Sequence, residues 1–295
     1  MARDSAAPGI HDGIPMADYL TMPGLSASRC HTILTQSPFH AYHDEGGEPS
    51  EASEIGTAIH DVLLEGVDRI VEIDALDWRT KDAKTLRDEA RTQGKIPILK
   101  HKAIQVWHAV NAAKEYIAKS EIAGVFDDGK PEQTIIWKEG EMLCKARPDW
   151  LTTDRSILLH VKTTQGSAQP DSWIRNMLTG MGYDVAVAFY ERGLFENTPM
   201  EQMRRDSKSV FLVIEQNPPY GCSLIGLDPA MQDLAARKVE RAIATWQRCK
   251  ATGIYPAYPS RICYAAPKPW ELAAEEEVNL SDVYDELQEK EGLQP

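Results

Sequence analysis

The chain has no paired-cysteine motif. Its five cysteines, Cys30, Cys144, Cys222, Cys249 and Cys263, are scattered without CxxC spacing. That argues against a zinc or iron–sulfur ligand set and against a secreted disulfide framework, and it fits a reducing cytoplasm. None stands out as a nucleophile; most of them read as plain buried or half-buried thiols. No apolar run approaches the roughly 20 residues needed to cross a bilayer. The opening MARDSAAPGIHDGIPMADYL has no apolar signal segment, so export is not expected. Neither a GxSxG elbow nor a P-loop occurs. Positive charge is also scarce, at a formal net of −13. Segment 271–295 holds nine acids against one lysine, a net of −8, which leaves −5 for the rest. Such a protein does not coat nucleic acid indiscriminately, but binding answers to the local field, and an acidic body can carry a basic cleft.

What is present is an ordinary globular chain, 42% hydrophobic and 26% charged, long enough at 295 residues for one large domain or two small ones. Residues 1–25, rich in Pro, Gly and small side chains, read as an extended lead-in. Ser26 or Ser28 caps a helix that runs to about Leu34 and stops before Pro38. SEIGTAIHDVLLEG is a helix with Ile55, Ile59, Val62 and Leu63 on one face and Gly66 at its end. The charged stretch 79–95 reads as a solvated helix and loop, and KHKAIQVWHAVNAAKEYIAKS as an amphipathic helix. At about Glu132 the pattern changes to strands. EQTIIWKEGEMLCKARPDWL reads as a hairpin about Glu139-Gly140, SILLHVKTT as a third strand and SVFLVIEQ as a central one. Trp173–Leu194 looks helical, and a long helix starts at Asp228 and ends before Gly253. Trp137, Trp150, Trp173 and Trp246 read as core. Residues 26–270 thus form one α/β domain with extra N-terminal helices, followed by an acidic mobile tail over 271–295.

Side-chain alternation puts His160 and Lys162 on one face of the third strand. Asp149 ends the strand before it and comes alongside His160 if the two pair. Glu132 opens the first strand, and His60 lies one helical turn from Gly56, where a small residue permits close approach. Phosphodiester cleavage needs such a set: oxygen ligands for a divalent ion, and a lysine to orient water or meet charge developing on phosphate. Taken singly, each residue has a plainer use. His60 reads as a satisfied helix histidine, Asp149 as a turn residue after Pro148, Glu132 as a strand opener after Pro131, and His160 with Lys162 as a solvated strand face.

In order, GTAIHDVLLEG, EQTIIW, CKARPDWL, LLHVKTT and GYDVAVAFYERGL resemble the motifs of the PD-(D/E)xK nuclease superfamily. Within it the chain is similar to the phage and prophage exonuclease group that includes exodeoxyribonuclease VIII. PGLSASRCHTILTQSPFHAY also resembles that group's opening, so the likeness runs from about Pro23 to Trp270. It implies a restriction-endonuclease-like core, a central mixed sheet flanked by helices, and Mg²⁺-dependent digestion of linear double-stranded DNA for recombination. By resemblance His60 and Asp149 contact metal, Glu132 supports the site and Lys162 is the catalytic lysine. A ring-shaped homo-oligomer and a single-strand annealing recombinase as partner come from the same source.

Two positions depart from the family pattern. His160 stands where an acid is expected two residues before the lysine, and Ala186 where a glutamine is expected. An imidazole suits Mn²⁺ better than Mg²⁺, so His160 is a third metal-ligand candidate with a shifted metal preference. For DNA the candidates are Ser28 and Arg29, placed to hold a terminal 5′-phosphate at a helix start, with Arg147, Arg175, Lys100, Lys102 and the 204–208 cluster. The rival reading, favoured by His160 and Ala186, is a catalytically silent nuclease-fold protein that binds DNA ends or a recombination partner.

Overall fold

Hydroxyl caps set the helical first half. The computed structural model describes residues 7–44, 50–66, 69–199 and 207–278. After β1 (Gly9–His11) and α1 (Met16–Thr21), Ser26 accepts the Arg29 N–H and opens α2 (Ala27–Thr35). Ser37 does the same for α3 (Pro38–His43) and Ser50 for α4 (Glu51–His60). α4 runs on through one π-helical turn, Asp61–Glu65, and stops at Gly66. Then come β2 (Ile70–Ile73), α5 (Lys81–Thr92), β3 (Ile96–Leu99) and α6 (Lys100–Ala118), with β2 and β3 a parallel pair.

The strands follow: β4 (Gly129–Pro131), β5 (Thr134–Glu139), β6 (Met142–Ala146), β7 (Trp150–Thr152) and β8 (Ile157–Thr164). α7 (Pro170–Trp173), extended by a π-helical turn at Ile174–Leu178, and α8 (Tyr183–Glu196) form the crossover to β9 (Lys208–Glu215). β10 (Cys222–Gly226) and α9 (Pro229–Thr252), capped by Asp228, complete the unit. The main sheet has the order β10-β9-β8-β7-β4, with β8 and β9 parallel and the other pairs antiparallel. A second sheet, β1-β5-β6, is antiparallel throughout.

Alternation along β8 and β9 sorts the core. Leu159, Val161, Leu212 and Ile214 bury against Ile55 and Ile59 of α4 and Val106 and Val110 of α6. On the opposite face Phe211 and Val213 meet Trp173 and Val187. The β5–β6 hairpin packs Ile135, Trp137 and Cys144 on Val185 and Phe189 of α8 and Trp246 of α9.

Three expectations need adjustment. The hairpin does not pair with the third strand: β6 belongs to the smaller sheet, and the neighbours of β8 are β7 and β9. Between β6 and β7 runs Arg147-Pro148-Asp149, and Pro148 has no N–H with which to continue a ladder. The helix expected over 173–194 is interrupted before Gly182, which sits in the left-handed region at φ 70° and starts α8 afresh. The lead-in is more structured than expected, contributing β1 and α1.

The chain divides into two compact units, Met1–Ala257 and Tyr258–Pro295. In the second, residues 269–278 are helical with exposed side chains, and the Lys268 ammonium lies 5.1 Å from the Trp270 ring centre. The remainder of the expected acidic tail, 279–295, lies outside the described residues. Among the described residues no helix is long and apolar enough to cross a membrane.

Candidate metal centre

The chain changes sheet twice at the same place. Between β4 and β5 it turns at Glu132, a non-glycine residue with φ 54°, and between β6 and β7 it turns at Asp149. The two turns lie side by side, with the Glu132 N–H donating to the Asp149 carbonyl at 3.2 Å. Both acids therefore stand where the two sheets part. The last residue of α4, His60, arrives from the other side. Its helix is seated on β8 by Gly56, and Gln216 ties the two, donating from Nε2 to Thr163 Oγ1 and to the Ala52 carbonyl, each at 2.9 Å.

His60 Nε2 lies 3.2 Å from Glu132 Oε1 and 3.4 Å from Asp149 Oδ1. One donor atom from each residue falls within 4.8 Å of the others. The remaining carboxylate oxygens are engaged elsewhere. Arg147 pairs with Glu132 Oε2 and also donates to the Ile14 carbonyl at 2.6 Å. Asp149 Oδ2 accepts the Val161 N–H at 2.6 Å and the Lys162 ammonium at 3.1 Å. Lys162 also reaches the Val161 carbonyl at 3.1 Å and lies 5.6 Å from the Tyr183 ring centre.

Charge follows geometry. Burial disfavours the imidazolium of His60, but the hydrogen bond and charge of Asp149, with the charge of Glu132, outweigh it and raise the pKa above 6.5. Burial lifts Glu132 above the usual carboxylate value, against the pull of His60 and Arg147. Burial would lift Asp149 too, yet Lys162 and His60 beside it hold it well below the usual range. An imidazole nitrogen and two carboxylate oxygens turned toward one point fit a divalent cation, with positions left for water and a substrate oxygen.

His160 is placed differently. It shares the strand face of Lys162, as alternation requires, but is only 1% exposed, with its ring 5.5 Å from Tyr190 and 5.2 Å from Phe211. Its Nε2 finds no hydrogen-bond partner among the described residues, and burial pushes its pKa down to about 4 despite the pull of Asp149. It is not among the three residues whose donor atoms converge.

The centre lies in a groove of about 2280 Å³. Ser28 and Arg29 line it, as do Arg147 and Ala186. Ser28 is exposed, with its hydroxyl 3.0 Å from that of Ser26, and Arg29 leans on the Trp246 ring at 5.8 Å. Arg175 is exposed in the π-helical turn before α8 and is not part of the groove lining. Lys100 is exposed at the start of α6, Lys102 pairs with Glu51 at 2.9 Å, and Lys208 begins β9. Arg204 and Arg205 lie outside the described residues.

Sequence reasoning missed Tyr19 and Lys145 in the same groove. Lys145 is buried, and its ammonium donates to the carbonyls of Tyr19 and Met22 at 2.6 Å and of Leu20 at 3.2 Å, capping the end of α1. A lysine inside the apolar strand MLCKA was the available signal. The tie between Arg147 and Glu132 had none, because it depends on where the sheets part.

A family model described as a PDDEXK-like domain of unknown function matches residues 28–266. No curated protein sequence matches the chain. Among solved structures, it is similar to a candidate exonuclease from Eubacterium rectale at 13% identity and a TM-score of 0.54, over 90% of this chain and 99% of that one. A phage-related exonuclease from Haemophilus somnus 129PT aligns at 12% identity and a TM-score of 0.34, over 80% and 99%. At such identities the likeness to the first concerns the fold alone. The family match, spanning the α/β unit and all four central residues, means that the chain belongs to the PDDEXK-like family DUF3799, of the PD-(D/E)xK nuclease superfamily.

Proposed function

We propose that the chain is a cytoplasmic metal-dependent deoxyribonuclease that degrades linear double-stranded DNA from its ends and exposes single strands for recombination. One observation carries the reading: His60, Glu132 and Asp149 converge within 4.8 Å, beside Lys162, in an open groove.

His60 Nε2, Glu132 Oε1 and Asp149 Oδ1 are the atoms that would hold Mg²⁺ or Mn²⁺. A bound ion supplies Lewis acidity, polarising a phosphate oxygen and lowering the pKa of water. Lys162, anchored on Asp149, presents its ammonium where charge builds on the phosphate or where the attacking water must be oriented. Arg147 fixes the orientation of Glu132 by taking its other oxygen. On the groove wall the first turn of α2, with Ser28 and Arg29, suits a terminal 5′-phosphate, which supports attack from an end. The resemblance extends the reading to a ring-shaped homo-oligomer and to a single-strand annealing recombinase as partner.

A second reading keeps the fold and drops the chemistry: an end-binding protein that does not cut. The feature that favours it is His160, an uncharged ring sealed under Tyr190 and Phe211 where an acid is expected. The deciding assay incubates the protein with linear 5′-phosphorylated duplex, and with circular duplex, in Mg²⁺ and in Mn²⁺. Digestion of the linear DNA alone, abolished by Lys162→Ala, supports the exonuclease. Retarded but intact linear DNA supports the silent binder.

A further inference from the structure

Each carboxylate of the centre turns one oxygen toward His60 and has the other engaged. Glu132 Oε2 is held by Arg147, and Asp149 Oδ2 by the Val161 N–H and Lys162. Two-metal phosphodiesterases set their ions about 3.5–4 Å apart, which requires anionic oxygens on both sides of the pair. Here only one side has them. On the strand side of Asp149 the charged or titratable groups it feels are the Lys162 ammonium, in contact with it, and the His160 ring, and an imidazole brings no negative charge in either protonation state. Two carboxylates balance one divalent ion. A second would sit beside Lys162, where the described residues of β8 offer no carboxylate; Asp61, also on the groove wall, is paired with Arg69.

Building on the metal-centre reading above, we infer that this chain binds a single divalent ion, on His60, Glu132 and Asp149, and that His160 is the residue that limits the centre to one. His160 occupies the strand position from which a carboxylate would face the Lys162 side of Asp149. With Tyr190 and Phe211 packed over its ring, that place is apolar instead.

The test counts Mn²⁺ bound per full-length chain by calorimetry and electron paramagnetic resonance, comparing the protein with its His60→Ala variant so that ions held elsewhere cancel. The expected difference is one ion per chain, with no spin coupling between neighbouring Mn²⁺ ions. Loss of two ions, or a coupled pair in the resonance spectrum, overturns the proposal. Loss of none overturns the metal-centre reading itself. His160→Asp should bind one further Mn²⁺, and its melting temperature should fall without metal and recover with it, because the new carboxylate is buried in an apolar site until an ion neutralises it. His160→Asn, uncharged and of similar reach, should keep the count at one. A His160→Asp protein that folds and still binds one ion removes His160 from the explanation.

Discussion

Gly56 of α4 rests so closely on Thr163 of β8 that a methyl group added to it would meet the threonine hydroxyl at 2.6 Å. Real Cβ atoms do not approach that far, so Gly56→Ala must either turn the Thr163 hydroxyl away from Gln216, loosening the tie between helix and strand, or push the two apart. His60 lies one turn further along the same helix, and it would move away from Glu132 and Asp149. The expected outcome is a loss of stability of about 1–3 kcal/mol, as for other overpacked contacts. Mn²⁺ affinity should fall by roughly tenfold or more, as when groups supporting metal ligands are disturbed. Adding Thr163→Ala should restore much of the affinity; calorimetry that finds Gly56→Ala binding as tightly as the parent would refute this account.

Arg147 is the counter-charge of a carboxylate that burial already makes harder to ionise. Replacing it with Gln should raise the Glu132 pKa further. Metal binding should then weaken by about 10–100-fold near neutral pH, the usual range for a group that supports a ligand, and recover partly as the pH rises. A uniform loss at every pH would mean that Arg147 acts through packing alone.

His60 makes stability depend on pH in a sense that metal reverses. Its folded-state pKa lies above the ordinary 6.5, so the stability it contributes is full below 6.5 and is lost as the pH climbs through the raised value. Metal requires the neutral imidazole, so the stabilisation by Mn²⁺ should grow over the same interval. Melting curves of metal-stripped protein should therefore fall with rising pH above 6.5, and the increment from Mn²⁺ should rise. His60→Gln should flatten both trends; a variant that keeps the parent's slopes would assign them to another group.

Lys145 secures the wall of the groove. Lys145→Met keeps the stem and removes the donors, so the part-buried carbonyls of Leu20 and Met22 lose this partner while that of Tyr19 keeps the Met22 N–H. An unsatisfied buried polar group costs about 1–3 kcal/mol, and a melting point lower by several degrees is expected. Proteolysis within α1 should accelerate in step. An unchanged melting point would show that water replaces the lysine without penalty.

The sequence made legible what local chemistry decides. The Ser26/Ser28 pair, of which Ser26 proves the cap, and Asp228 announced α2 and α9, the apolar spacing of Ile55, Ile59, Val62 and Leu63 announced the buried face of α4, and Glu139-Gly140 announced the hairpin. The convergence of His60, Glu132, Asp149 and Lys162 came from motif order more than from any one residue. What could not be read was tertiary. Whether β6 pairs with β8 is settled by where Pro148 sends the chain. Whether Lys145 is a surface charge or a buried cap is settled by α1, which lies far from it in sequence. β4, β7 and β10 are short and were not separately legible, since strands of three to five residues offer too few alternations to count.

His60 reaches the two acids only because α4 docks on β8 across the long stretch of chain that separates it from Glu132. The centre therefore cannot exist in any partly folded form in which the main sheet has assembled but the helix has not yet settled. Closing so long a loop must be offset by the contacts it brings, so this docking is expected late among the chain's folding events. An ion would see nothing to bind until that moment, and once bound it would slow the helix from leaving. Metal should therefore act on the unfolding rate far more than on the folding rate, and the half-life of the native protein is where its presence would be felt.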